Sequence, residues 1–205
     1  MIDLYTANSS NGQRAAIILE ECGLAYRVHK YDLLKGEHRN PEFLGVNPAG
    51  SIPAIVDSDG PGGTPITLAQ SGAILLYVSE KTGKFMPRNF ASRALVWQWL
   101  MQAATDVSPA SGNIFYNMVL MPEKSEANGK FFQERALRYF GDCDRQLSGR
   151  DYLAGEISVA DFALYPVYAA RKKIVDEAGT LAHLTRWGEK MAARPGLQKG
   201  MQAAL

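Results

Sequence analysis

Cysteine is scarce. Cys22 and Cys143 are the only two in 205 residues, and they form no CxxC pair. Neither a disulfide framework nor a dithiol redox motif is written in the chain, and two free thiols in a reducing, cytoplasmic compartment is the simpler account. Histidine numbers three, His29, His38 and His183. No HExxH and no paired His/Cys spacing occurs among them, so no designed metal site is expected. An excess of one charge is missing too. Lys plus Arg is 22 against 21 for Asp plus Glu, a net charge of +1, which offers little to nucleic acid or a membrane surface. No apolar run reaches the roughly 18 residues of a membrane span. The start, Met1-Ile2-Asp3-Leu4-Tyr5, lacks the basic and then apolar layout of a signal peptide. GxGxxG and GxxxxGK[ST] are absent, which leaves a nucleotide phosphate cradle unsupported. GxSxG is absent as well, and Ala69-Gln70-Ser71-Gly72-Ala73 is only a distant echo of a serine-hydrolase elbow.

What is present is ordinary globular material, with 46% hydrophobic and 21% charged residues. At ~150 residues per domain the length allows one large domain or two small ones. The first 80 or so residues alternate strand and helix signals. Ile2 to Tyr5 reads as a strand, followed by the small, polar turn Thr6 to Gly12. Gln13 to Cys22 has a helical pattern stopped by Gly23, and Tyr26 to Tyr31 alternates as a second strand. After the polar stretch Lys35 to Pro41, Glu42-Phe43-Leu44 fits a short helix. Ile52 to Asp57 reads as a strand entered through Pro53. The Gly/Pro-rich turn from Ser58 to Pro65 lets Ile66-Thr67-Leu68 pair back, and Gln70-Ser71-Gly72 opens a helix ending near Thr82-Gly83. The order is βαβ followed by ββα, a small α/β layer domain. From Asn89 no convincing strand remains, and helical patterns occupy 91–105, 130–147, 160–175 and 180–194. The expected division is 1–83 for the α/β domain, 84–88 for the linker and 89–205 for an all-helical domain. Within the latter, Ser158-Val159-Ala160-Asp161 fits a capping box, flanked by Ile157 and Phe162 as a hydrophobic staple.

Neither cysteine sits at a helix start where the dipole would activate it. Three other places suit an anionic, thiol-bearing ligand. Ser9-Ser10-Asn11 lies between the first strand and first helix, at the carboxyl end of a strand where ligands commonly bind. The helix start there offers amides and positive partial charge, and the hydroxyl and carboxamide can donate to a thiolate. A residue of this trio that merely caps the helix is the competing account. Ile52-Pro53 is a candidate cis bond, although an ordinary edge proline is the commoner outcome of such spacing. If cis, it turns the Ile52 backbone toward a ligand lying alongside like an added strand. Gln70-Ser71 opens a helix whose amides suit a carboxylate, with a plain Ser cap as the alternative.

Four segments taken in order carry a resemblance over essentially the whole chain. They are Ile52-Pro53-Ala54-Ile55-Val56, Gln70-Ser71-Gly72-Ala73-Ile74, Ser158-Val159-Ala160-Asp161-Phe162 and Trp187 to Gly196. Together they resemble the glutathione transferase family. The opening Met1 to Tyr5 and Ser9-Ser10-Asn11-Gly12 look like the family's bacterial nu class. The resemblance implies a thioredoxin-like N-terminal domain, an all-helical C-terminal domain and a homodimer with two glutathione sites. It also implies a glutathione-dependent disulfide reductase with possible peroxidase activity, in which bound reduced glutathione supplies the thiol and the site can hold two glutathiones or one oxidised dimer. Ser9 matches the hydroxyl position, where Thr is usual, and Asn11 the catalytic Asn. His38 stands where the class often has Gln, near the glycine end of glutathione. Ile52 matches the residue whose backbone pairs with the cysteinyl part, with Pro53 implied cis. Gln70 and Ser71 match the γ-glutamyl clamp, Gln70 in place of a frequent Glu. A transferase conjugating small hydrophobic electrophiles, with a pocket near Ser108 to Tyr116, is the alternative within the family. A non-catalytic glutathione-binding or regulatory module is the alternative outside it. No metal, nucleic acid or membrane partner is implied.

Overall fold

The computed structural model describes residues 1–205. The N-terminal strands are β1 (Ile2–Thr6), β2 (Tyr26–Lys30), β3 (Ala54–Asp57) and β4 (Ile66–Ala69), with helices α1 (Ser10–Cys22), α2 (Pro41–Val46) and α3 (Ser71–Thr82) between and after them. The sheet order is β2-β1-β3-β4. β1 and β2 run parallel, as a helical crossover requires, and β3 is antiparallel to both β1 and β4. This is a thioredoxin-like layer. The expected strands and helices occur in the expected order, and α1 begins three residues earlier than the sequence pattern indicates, because Ser9 caps it. Leu4, Ile55, Ile17, Ile18, Leu19, Ile74 and Leu75 are fully buried between the sheet and its helices. Asp57 at the end of β3 ties down α3, accepting from Tyr77 Oη at 2.7 Å and pairing with Lys81 Nζ at 2.9 Å.

The chain forms two compact units, residues 1–85 with 192–205 and residues 86–191. In the first unit the last helix lies on α1. Gly200 permits this, since a Cβ there would meet Ile17 Cα at 2.4 Å. Arg194 closes the junction with a two-pronged ion pair to Glu21, at 3.0 and 2.6 Å.

The second unit is helical. It contains α4 (Phe90–Met101), α5 (Ser108–Phe115), α6 (Glu126–Gln146), α7 (Val159–Ala170), α8 (Lys172–Ala178) and α9 (Ala182–Ala192), the last crossing into residue 192, while α10 (Pro195–Ala203) belongs to the first unit. α4 and α5 are one run joined by a π-helical stretch at Gln102–Val107. Pro109 has no N–H to donate, and the widened turn lets the Ser108 N–H and hydroxyl both reach Ala103 O. α7 is buried along nearly its whole length and contains Pro166. No helix is long and apolar enough to cross a membrane.

Candidate functional site

Strand register gathers the candidate residues. Tyr5 lies opposite Ala54, and Ala54 opposite Ala69. The end of β1, the start of β3 and the end of β4 are therefore neighbours at one edge of the sheet. The residues just beyond these positions are the Ser9 loop, Pro53 and Gln70-Ser71. All three candidate segments thus meet at the same edge.

Ser9 is extended and its Oγ accepts from the Gly12 amide at 3.1 Å. It does cap α1. The cap uses a lone pair of the hydroxyl and leaves its proton available to an acceptor outside. Capping and donation to a thiolate are therefore compatible. Gly12 is required for the tight turn, because a Cβ there would meet Ala7 O at 2.3 Å and Thr6 Oγ1 at 2.5 Å. Asn11 stands exposed in the first turn. Its Oδ1 accepts from Arg14 Nη1 at 2.7 Å and from Ser71 Oγ at 3.2 Å. Arg14 Nη1 also reaches Ser71 Oγ at 3.4 Å. Two predicted residues from opposite ends of the N-terminal domain, Asn11 and Ser71, are thus in direct contact.

The Ile52–Pro53 bond is cis. Pro53 is buried and Ile52 half-buried, with the preceding turn held by Asn47, whose Nδ2 donates to Ser51 O at 2.6 Å. Gln70 is exposed and has φ +73° and ψ 116°, a left-handed conformation that is costly for a non-glycine residue. Such strain, on the order of 1–3 kcal/mol, concentrates at ligand clamps. Its side chain makes no cap on α3, so it is available to a ligand. His38 stands apart, on a single 3-10 turn at Glu37–Arg39 in the segment after β2. It forms no hydrogen bond with the Asn11–Ser71 cluster, and its Nδ1 is enclosed without a partner.

Arg14 is the residue that sequence reasoning passed over. It is 2% exposed, and burial pulls its guanidinium down to about 10, still charged at neutral pH. The signal was present: a charged residue three positions after Asn11, within an otherwise apolar helix face. The two cysteines lie elsewhere. Cys22 ends α1 with Sγ 3.3 Å from Thr82 Oγ1, and burial raises its thiol. Cys143 is enclosed in α6, where burial pushes it up to about 12. No group of three or more His, Cys, Asp or Glu residues is placed to hold a metal.

In the helical unit, of the stretch 108–116, Ala110, Ser111 and Ile114 are buried while Phe115 and Tyr116 are exposed. Arg171 holds Ser111, donating to its Oγ at 2.9 Å and its O at 2.7 Å. Two open grooves occur in this unit, about 380 Å³ beside Val175 to Glu189 and about 520 Å³ beside Gly149 to Gly155. Neither includes a candidate residue.

A thioredoxin-like layer carries cis-Pro53 just before the interior strand β3, between two donor-rich helix starts, an arrangement suited to a thiol-bearing peptide. Comparison with known proteins agrees. Residues 8–81 match the glutathione S-transferase N-terminal domain and residues 110–202 its C-terminal domain. The chain belongs to the glutathione S-transferase family. It is 37% identical to the Escherichia coli disulfide-bond oxidoreductase YfcG, over 100% of this chain and 96% of that protein. It is 31% identical to E. coli disulfide-bond oxidoreductase YghU, over 97% and 73%. A glutathione transferase from Pseudomonas putida with one glutathione disulfide bound per subunit superposes with TM-score 0.90 at 32% identity, covering 98% of this chain and 90% of that one.

Proposed function

We propose that the protein is a glutathione-dependent disulfide reductase of the cytoplasm, acting as a homodimer. The observation that carries this reading is a site with donors and no thiol of its own. The Ser9–Asn11 loop offers a hydroxyl and a carboxamide at a helix start, while both cysteines are buried with raised thiols. The nucleophile is then the ligand's sulfur. A thiol of reference pKa near 8.5 is mostly protonated at neutral pH. Donation from Ser9 and Asn11, the amides of the first turn and the nearby Arg14 cation all favour its ionised form. The thiolate attacks one sulfur of a substrate disulfide, forming a mixed disulfide and releasing the other sulfur as thiolate. A second glutathione thiolate then attacks the mixed disulfide, giving oxidised glutathione and the second product thiolate. The names of the E. coli relatives and the bound glutathione disulfide of the P. putida neighbour support that chemistry.

In this assignment the Ile52 backbone beside cis-Pro53 pairs with the cysteinyl part. The Ser71 amide and Gln70 side chain hold the γ-glutamyl end, and His38 lies toward the glycine end. Peroxide reduction follows the same thiolate chemistry at an oxygen leaving group and is a secondary activity. The test is a side-by-side steady-state assay with glutathione, using hydroxyethyl disulfide and a chloronitrobenzene. Fast disulfide turnover with poor conjugation is expected. The reverse preference would make the protein a conjugating transferase, and glutathione binding without either activity would make it a binding module.

A further inference from the structure

The orientation of the Asn11 carboxamide is not arbitrary. Two donors, Arg14 Nη1 at 2.7 Å and Ser71 Oγ at 3.2 Å, converge on one of its terminal atoms. Two donors meet only at an acceptor, so that atom is the oxygen and the NH2 group is turned away from the pair. Arg14 is the donor that permits this. Its Nη1 carries two hydrogens, enough for Asn11 Oδ1 and for Ser71 Oγ at 3.4 Å. The Ser71 hydroxyl, accepting from Arg14, gives its own proton to Asn11. A ring of three hydrogen bonds thereby joins the start of α1 to the start of α3, around a guanidinium that is 2% exposed. Buried in this way, its geometry is fixed by packing.

We propose that Arg14 is a positioning residue for thiol activation. It locks Asn11 with its NH2 group toward the bound sulfur and ties that orientation to Ser71 in the γ-glutamyl subsite. The proposal rests on the glutathione reading above. With its hydroxyl proton committed to Asn11, Ser71 meets the ligand's carboxylate through its backbone N–H. Without Arg14, the carboxamide is free to turn and present its oxygen, which repels a thiolate.

The test compares the unaltered protein with Arg14→Gln and Arg14→Lys in disulfide reduction at saturating glutathione, across the titration of the bound thiol. In Arg14→Gln the rising limb of kcat is expected to move up by about one pH unit, with kcat at neutral pH falling about tenfold and KM for glutathione changing less than about threefold. Arg14→Lys keeps the charge and a donor but loses the fork, and is expected to move the limb about half as far. A folded Arg14→Gln with lowered Tm but an unmoved limb overturns the proposal, because a structural role alone predicts that result. Should Arg14→Gln fail to fold, Arg14→Lys decides alone: a raised limb supports the proposal and an unchanged limb overturns it. Absence of turnover in the unaltered protein overturns the functional reading, and this proposal with it.

Discussion

Three helices of this protein are capped by a serine, α1 by Ser9, α6 by Ser125 and α7 by Ser158, and the starts of α1 and α7 have opposite fates. At α7, Ser158 is 1% exposed and Asp161 fully buried. The Asp161 carboxylate takes four donors: Leu153 N–H at 3.1 Å and Trp187 Nε1–H at 2.9 Å on Oδ1, and Ser158 N–H at 3.0 Å and Oγ–H at 3.1 Å on Oδ2. Every acceptor position is filled by protein. At α1, Ser9 caps with one lone pair, and the Asn11 oxygen, not its NH2, meets Arg14 and Ser71. The sequences look alike, a small hydroxyl residue followed by a helix. The difference is what the next turn supplies. A carboxylate at the third helical position closes one start on itself, and a buried cation behind a carboxamide holds the other open.

The largest expected effect comes from breaking the closed start. Asp161→Ala strands four buried donors and is expected to cost about 3–5 kcal/mol. For a chain of this length that lowers Tm by roughly 6–20 °C, readable by thermal or urea denaturation. A loss below about 1 kcal/mol would show that the start of α7 is as open as that of α1.

The next effect falls on the open start and on activity. Ser9→Ala combined with Asn11→Ala is expected to lower disulfide turnover by about 100-fold, the scale of losing a preorganised donor to a developing anion. Stability should fall by about 1 kcal/mol for the lost cap and by a further roughly 1–3 kcal/mol for the acceptor taken from buried Arg14. Unchanged turnover in the double variant would remove both residues from the thiol site.

Smaller still is the pH dependence that only the closed start should show. Burial raises the Asp161 carboxyl from its ordinary range to about 6, even though four hydrogen bonds pull the other way. A carboxyl raised in the folded state binds its proton more tightly there than when unfolded. Its contribution is fully present below the unfolded pKa near 3.8 and is lost as pH rises through about 6. Asp57, by contrast, is pushed up by burial but held below its ordinary value by Tyr77 and Lys81, so its contribution is lost as pH falls. Denaturation of Asp161→Asn against the unaltered protein isolates the first slope. A difference that does not vary between pH 4 and 6 would show that Asp161 does not titrate there.

Much of this contrast was legible in the sequence. The βαβ-ββα order, the Ser158–Asp161 box and the two donor-rich helix starts follow from local spacing, which is what short-range hydrogen bonding and periodicity encode. The contact between Asn11 and Ser71 spans 60 positions and comes from strand register, which spacing alone does not give. Arg14 escaped notice because a charge on a short helix is read as its solvated side, and only packing shows it enclosed. The return of α10 onto α1 left equally little trace: it depends on Gly200 meeting Ile17 and on Arg194 meeting Glu21, residues with no local reason to pair.

The smallest expected effect sharpens the claim that the working thiol belongs to the ligand. Cys143 is pushed up to about 12 by burial and Cys22 is raised as well, so neither holds an appreciable thiolate at neutral pH. Thiolate is the form that attacks alkylating reagents and disulfides. Iodoacetamide should therefore leave the native protein unlabelled at both positions and its turnover intact, while urea should expose both to rapid labelling. Cys22→Ser and Cys143→Ala should likewise retain specific activity within about twofold, Cys143→Ala at some loss of stability for the small cavity it leaves in α6. Native labelling that abolishes turnover would place a protein cysteine in the reaction, and the open start of α1 would then have to serve that thiol instead of the one the ligand brings.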